Sequence, residues 1–195
     1  MQTTLSNMAS LVSRSQDQDS QTIDRVLSTL RLIDSPTEEA FDKYTRLVTR
    51  FFGVPVALVS FVEEKKDRQY FKSQIGLTGK WAKSRQTPLS HSFCQYVKRD
   101  NRPLIIEDAP LDARVCGSLA ISELGVRAYL GVPVHSPDGR ALGALCAIDT
   151  QVRAWDQADV DGMVDLAACV SDQIGLRAAL HRQFNCDGPQ FQTAP

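Results

Sequence analysis

The stretch from Arg127 to Asp149, RAYLGVPVHSPDGRALGALCAID, constrains this chain more than any other. Pro137 suits the first corner of a type I turn, Asp138 follows, and Gly139 supplies the positive φ that closes the loop. With Pro137 to Gly139 as the loop, Ser136 pairs with Arg140 and a β-hairpin register follows. Ala128 is then expected opposite Ile148, Leu130 opposite Cys146, Val132 opposite Ala144, and Val134 opposite Leu142. The reverse face pairs Tyr129 with Ala147, Gly131 with Leu145, Pro133 with Gly143, and His135 with Ala141. The first face is wholly apolar. The second is mostly apolar but kept shallow by its glycines, which lets a backbone or a ligand come close. A hairpin apolar on both faces belongs inside a domain, with material packed on each side. In this register Pro133 turns its missing N–H toward the other neighbouring strand, so pairing there is expected to stop.

The remaining segments supply that material. Ile23, Val26, Leu27 and Leu30 share one face of a short helix. Ser35 reads as an N-cap, with Pro36 at the first helical position and Glu38 completing a capping box. The helix that follows sets Phe41, Tyr44, Leu47, Val48 and Phe51 on one stripe and stops at Gly53. Val54–Val62 and Gln69–Ile75 read as strands joined by a charged turn. Residues 76–90 have no period and read as a loop. His91–Lys98 reads as a short helix, Arg102–Glu107 as a strand burying Leu104, Ile105 and Ile106, and 108–124 as irregular chain. Asp156 caps a last helix to about Arg182 with two apolar stripes. Val160, Met163, Val164, Ala167, Val170 and Ile174 suit the sheet. Leu166, Cys169, Leu176 and Leu180 need another cover, either the first helix or a second subunit.

One domain fits 195 residues of which 43% are hydrophobic. Polar residues 1–22 and 184–195 read as flexible tails around a domain at 23–183. A net charge of −1 gives no reason to expect nucleic acid or a membrane surface as partner, and Lys80, Lys83 and Arg85 around Trp81 read as a solvated loop. No apolar run spans a bilayer and no signal peptide opens the chain, so a cytoplasmic location is expected. Five cysteines, at 94, 116, 146, 169 and 186, include no CxxC pair and read as buried or idle thiols. His91 and Cys94 share a helix face, but two ligands without a second pair do not make a metal site. Phosphate-loop, nucleophile-elbow and zincin motifs are absent.

Gly-Val-Pro-Val, a turn, then Leu-Gly-Ala-Leu-Cys-Ala-Ile-Asp resembles the last two core strands of a GAF domain, a small-molecule sensor module. Ser35–Asp42, Phe71-Lys72-Ser73, Ser90–Cys94, Asp108-Ala109 with Asp112-Ala113-Arg114, and Arg127-Ala128-Tyr129 agree, in order, over roughly residues 25–180. The likeness is to the bacterial subgroup found ahead of histidine kinases and diguanylate cyclases. It implies an α/β fold of the α+β kind: a central antiparallel sheet of about six strands, terminal helices on one face, and a pocket-forming layer of loops and short helices on the other. It also implies a pocket between the shallow sheet face and segments 91–98 and 108–124, the latter as a lid. Phe71, Phe93, Cys94, Asp108, Val115, Cys116, Tyr129 and Gly131 are the expected ligand-binding residues. Asp108, Asp112 and Arg114 also suit a bracing role within the lid.

The departures narrow the ligand. Cys94 is followed by Gln95, not by the His of bilin-binding relatives, Tyr96 stands where many relatives have His, and no NKFDE run marks a cyclic-nucleotide binder. No cofactor is identified. The expected function is a stand-alone sensory or regulatory module that binds a small ligand or a signalling protein partner, forms a homodimer through Leu166, Cys169, Leu176 and Leu180, and has its output in a partner. A first alternative is a thiol-dependent reductase of free methionine-R-sulfoxide, with Cys94, Cys116 and Cys146 converging on the pocket. It requires two of these within disulfide reach, whereas the sensor reading expects none and a Cys146 inert opposite Leu130. A second is a structural dimerisation module with a filled pocket.

Overall fold

The computed structural model describes residues 18–186. It contains strands β1 (Val56–Glu63), β2 (Arg68–Ile75), β3 (Gln86–Pro88), β4 (Leu104–Ile106), β5 (Ala128–His135) and β6 (Ala141–Asp149). They form one antiparallel sheet in the order β3-β2-β1-β6-β5-β4. Helices α1 (18–29), α2 (Glu39–Phe52) and α6 (Gln157–Cys186) cover one face. The short helices α4 (Cys94–Asp100) and α5 (Leu119–Leu124) cover the other, and α3 (Gly79–Ser84) precedes the edge strand. This is the expected α+β architecture.

The helical layer follows from the apolar spacing. Ile23, Leu27 and Leu30 of the first segment, Phe41, Tyr44 and Val48 of α2, and Met163, Ala167, Val170 and Ile174 of α6 are buried together. Each large apolar side chain buried here contributes about 1.5–3 kcal/mol. Gly53 ends α2 in the left-handed conformation, with φ 62°. Asp156 caps α6, its Oδ1 accepting from the Asp159 N–H at 2.8 Å. Three details differ from the spacing argument. Phe52, not Phe51, turns inward, leaving Phe51 exposed. Residues 18–22 are helical and not tail, while 1–17 and 187–195 lie outside the described residues. Helix α6 continues past Arg182 to Cys186.

Glu38 also departs from the expected capping box. Helix α2 starts at Glu39, and the Glu38 side chain makes no capping hydrogen bond. Its carboxylate pairs with Lys72 of β2 and Arg177 of α6. Lys72 is wholly buried; its Nζ also donates to Ser35 Oγ at 2.7 Å and to the carbonyl oxygens of Arg31 and Pro36 at 3.1 and 3.2 Å. Ser35 is thus a partner of Lys72 and not a cap. The cluster ties the turn before α2 to the sheet and to the last helix.

The hairpin turn forms as expected, Ser136 N–H donating to Arg140 O at 2.9 Å and Gly139 taking φ 82°. His135 pairs with Ala141, but the register then shifts: Val134 faces Gly143, Pro133 faces Ala144, Leu130 faces Ala147, and Ala128 faces Asp149. One extra residue, Leu142, is accommodated in β6, as a β-bulge requires. Beyond it every β6 side chain lies on the face opposite to the one expected. Leu142, Leu145 and Ala147 join Leu130 and Val132 under the helices, whereas Ala144, Cys146 and Ile148 share the other face with Tyr129. Pairing of β4 with β5 ends at Gly131, before Pro133.

The segment read as a loop, 76–90, contains α3 and β3. Ile105, expected to be buried, is 37% exposed on the edge strand β4. None of the described helices is long and apolar enough to cross a membrane.

Candidate functional site

The bulge decides what the non-helical face presents. Tyr129 is fully buried, its ring lying over Gly131 where an added Cβ would meet the phenol oxygen at 2.1 Å. Gly131 is therefore filled by its own neighbour and does not line a cavity. The Tyr129 hydroxyl reaches Cys94 Sγ at 3.1 Å, and Phe93 packs edge-on against its ring with centroids 5.4 Å apart. Cys94 opens α4, while Cys146 comes from β6, and their sulfurs lie 3.8 Å apart. The expected isolation of Cys146 opposite Leu130 is thus overturned by the one-residue shift. Burial pushes both the Tyr129 hydroxyl and the Cys146 thiol well above their ordinary pKa values. Burial also opposes ionisation of Cys94, but its contacts with Cys146, Tyr129 and Gln69 outweigh it and hold that thiol below its ordinary value.

Beside these groups is a small cavity between the sheet and the short helices, with about 30 Å³ of free space. That is room for a water or two. Phe71, Phe93, Cys94 and Tyr129, all expected, line it, together with Leu58, Ile148, Leu77, Ala120 and Leu124. No Asp, Glu, Lys or Arg is among the lining residues. Two of the lining residues carry a buried polar atom without a hydrogen-bond partner: Gln69 Oε1 and Thr87 Oγ1. Gln69 and Thr87 face each other across the β2–β3 ladder, so their side chains meet on one side of the sheet. The Gln69 amide donates through Nε2 to Cys94 Sγ at 3.4 Å, leaving its oxygen turned elsewhere. His91 pairs through Nδ1 with Ser90 Oγ at 3.0 Å and packs against Trp81. Its Nε2 lies 3.2 Å from Glu123 Oε2, a contact that holds the Glu123 carboxyl below its ordinary pKa.

The other expected ligand residues lie elsewhere. Val115 is buried in the same apolar layer without lining the cavity, and Cys116 is exposed. Asp108 pairs with Arg127. Asp112 accepts from the Arg114 backbone and side chain, and Arg114 reaches Ile105 O at 2.9 Å. These groups brace the segment and do not line this cavity, to which the segment contributes through α5. Gln69 and Thr87 escaped the sequence reasoning because β3 is three residues long in a stretch without period.

The GAF domain family model matches residues 36–177. The chain belongs to the GAF domain family. A cyclic di-GMP phosphodiesterase of Pseudomonas aeruginosa is 34% identical over 125 residues, 64% of this chain but 20% of that protein. The GAF domain of an Acinetobacter phosphoenolpyruvate-protein phosphotransferase has a similar fold, with TM-score 0.59, 20% identity, and 85% of this chain and 96% of that one covered. So has free methionine-R-sulfoxide reductase from Neisseria meningitidis, solved with its substrate: TM-score 0.57, 18% identity, 85% and 93% covered. At these identities the two structures establish the fold alone. GAF domains are sensory and ligand-binding modules, and this chain has their architecture.

Proposed function

We propose that this GAF domain is a cytoplasmic sensory module that takes a small, neutral, flat ligand into the cavity beside Tyr129 and signals through protein contacts. The observation that carries this reading is the pair of unpartnered buried polar atoms on Gln69 and Thr87. Burying such groups unpaired costs about 1–3 kcal/mol each, a cost that a ligand with a matching polar edge removes. The apolar walls favour a ring or short chain, and the lack of an ionised lining side chain disfavours a strongly charged one. The free space is small, so binding must move Leu77 or the α5 residues Ala120 and Leu124 outward. The relative in which a similar domain makes up one fifth of a cyclic di-GMP phosphodiesterase supports control of a signalling enzyme as the output.

The test uses native mass spectrometry of freshly purified protein together with Thr87→Val. The substitution is expected to abolish the bound small molecule while stabilising the ligand-free domain by about 1 kcal/mol in urea, because an unsatisfied hydroxyl is removed. A destabilised variant that still carries its ligand, or a wild type that takes up nothing from a cell extract, would overturn the reading.

Signalling through a homodimer is part of the proposal. Leu176 and Leu180 are 56% and 45% exposed and Cys169 is exposed, while Leu166 is partly covered by the helical core. Helix α1 buries its own apolar face yet leaves Leu176 and Leu180 open. Among the described residues Leu176 and Leu180 stay open, and a second copy is the cover this proposal assigns to the stripe. Leu176→Glu is expected to shift the chain to monomer in light scattering; a wild type already monomeric at high concentration would refute the interface.

The approach of Cys94 to Cys146 favours one second reading, reduction of free methionine-R-sulfoxide, since it meets the two-thiol requirement. Cys116 takes no part. Sulfoxide turnover with a thiol reductant, lost in Cys94→Ser, would establish it.

A further inference from the structure

The Cys94–Cys146 pair has an arrangement that ligand binding does not explain. The two sulfurs come from elements on opposite sides of the apolar layer, α4 and the sheet, and sit 3.8 Å apart with both residues buried. Among the described residues there is no cluster of three metal-ligating side chains, so the pair lacks the further ligands of a structural metal site. Cys94 lines the cavity and Cys146 does not. A small molecule arriving through the cavity therefore meets Cys94 first, with Cys146 directly behind it.

We propose that Cys94 and Cys146 are a reversible dithiol switch, closed to a disulfide by a peroxide that enters the cavity. Cys94 attacks as the thiolate: its sulfur bonds to one peroxide oxygen, the O–O bond breaks, and the departing hydroxide leaves as water with the proton Cys94 gave up. The product is a sulfenic acid at Cys94. The Cys146 sulfur then attacks that sulfur, the S–O bond breaks, and the hydroxide takes the Cys146 proton and leaves as a second water. The two thiols lose two electrons and the peroxide gains them. The pair is divided for these tasks, since the donors around Cys94 favour its thiolate whereas Cys146 waits as a buried thiol.

Closure brings the sulfurs from 3.8 Å to the S–S bond length of about 2.05 Å. It draws the start of α4 onto β6 and removes the thiol that Tyr129 Oη and Gln69 Nε2 now contact. Both side chains line the cavity, so oxidation changes the polar groups a ligand meets. The disulfide stands by itself; only its coupling to binding rests on the sensor reading above.

The experiment takes the full chain with Cys116, Cys169 and Cys186 replaced by Ser. It is reduced, freed of reductant, exposed to hydrogen peroxide, then unfolded in excess maleimide and weighed intact. The expected product is lighter by two hydrogens, takes up no maleimide, and recovers two reactive thiols after dithiothreitol. Cys146→Ala in this background is expected to leave a sulfenic acid that dimedone traps, and Cys94→Ala to leave Cys146 unoxidised. In the unmutated chain, peptide mapping should find the Cys94–Cys146 link, which covers the case of a background that folds poorly. Two maleimide adducts after peroxide, or overoxidised sulfur without the cross-link, would overturn the proposal. Ligand retention in native mass spectrometry is read separately, so failure of the switch is distinct from failure of the sensor reading.

Discussion

Glu38→Ala is expected to cost about 3 kcal/mol of stability in urea unfolding, the lower end of what breaking a buried ion pair costs. The substitution removes the carboxylate shared by Lys72 and Arg177. Lys72 has no access to water, so its ammonium would be left with neutral acceptors only. The lower end applies because the Glu38 side chain is 30% exposed, and water partly replaces the lost interactions. Burial already holds the Lys72 pKa below the ordinary lysine value despite Glu38, and losing Glu38 takes it further down. Lys72→Met in the Glu38→Ala background should restore part of the loss, since an apolar residue needs no partner there. A cost below about 0.5 kcal/mol for Glu38→Ala, the level of an ordinary surface change, would show that the cluster holds nothing together.

The same carboxylate sets an acid limit. Hydrogen bonds from Arg177 and Lys72 outweigh burial and lower the Glu38 pKa to about 2 from 4.5. A folded-state pKa below the unfolded one means the unfolded chain binds the proton more readily. The contribution of Glu38 is therefore complete above pH 4.5 and is lost as pH falls toward 2. Glu38→Gln should flatten that part of the stability curve while leaving the others in place.

Gly143→Ala is expected to destabilise the domain by about 3 kcal/mol, the top of the usual range for overpacking, and to lower its soluble yield. A Cβ at Gly143 would lie 2.0 Å from Ser60 O and 2.8 Å from Phe61 Cα. Both are backbone atoms of β1, the strand that pairs with β6 along this stretch. No side chain can swing aside, so the two central strands would have to separate where both cores meet the sheet. Gly131 makes a useful contrast. There the atoms nearest the added one belong to the Tyr129 ring, a side chain that can move at the expense of the cavity. A Gly143→Ala protein with unchanged urea midpoint would show that β6 does not press against β1 at the bulge.

Most of the architecture was legible along the chain because its signals are local. Period-3.6 apolar spacing marked α1, α2 and α6, the Pro137-Asp138-Gly139 turn marked the hairpin, and Gly53 and Asp156 marked helix ends. Family likeness added the layer order and four of the cavity-lining residues, Phe71, Phe93, Cys94 and Tyr129. The short elements were not legible: α3 and β3 are too brief for a period, so Gln69 and Thr87 could not be seen as facing partners. Glu38 looked like a capping residue because its true partners, Lys72 and Arg177, are 34 and 139 residues away.

What the sequence by itself determined is that residues 127–149 form a hairpin buried on both faces, closed by a turn at Pro137 to Gly139. What only the tertiary structure decided is which face each β6 side chain joins. Both alternating sets in ALGALCAID are apolar, so either register buries nearly the same surface and the pattern carries no preference. The choice falls to the bulge at Leu142, where Gly143 lets β6 press against the β1 backbone. That single extra residue turns Cys146 away from Leu130 and toward Cys94.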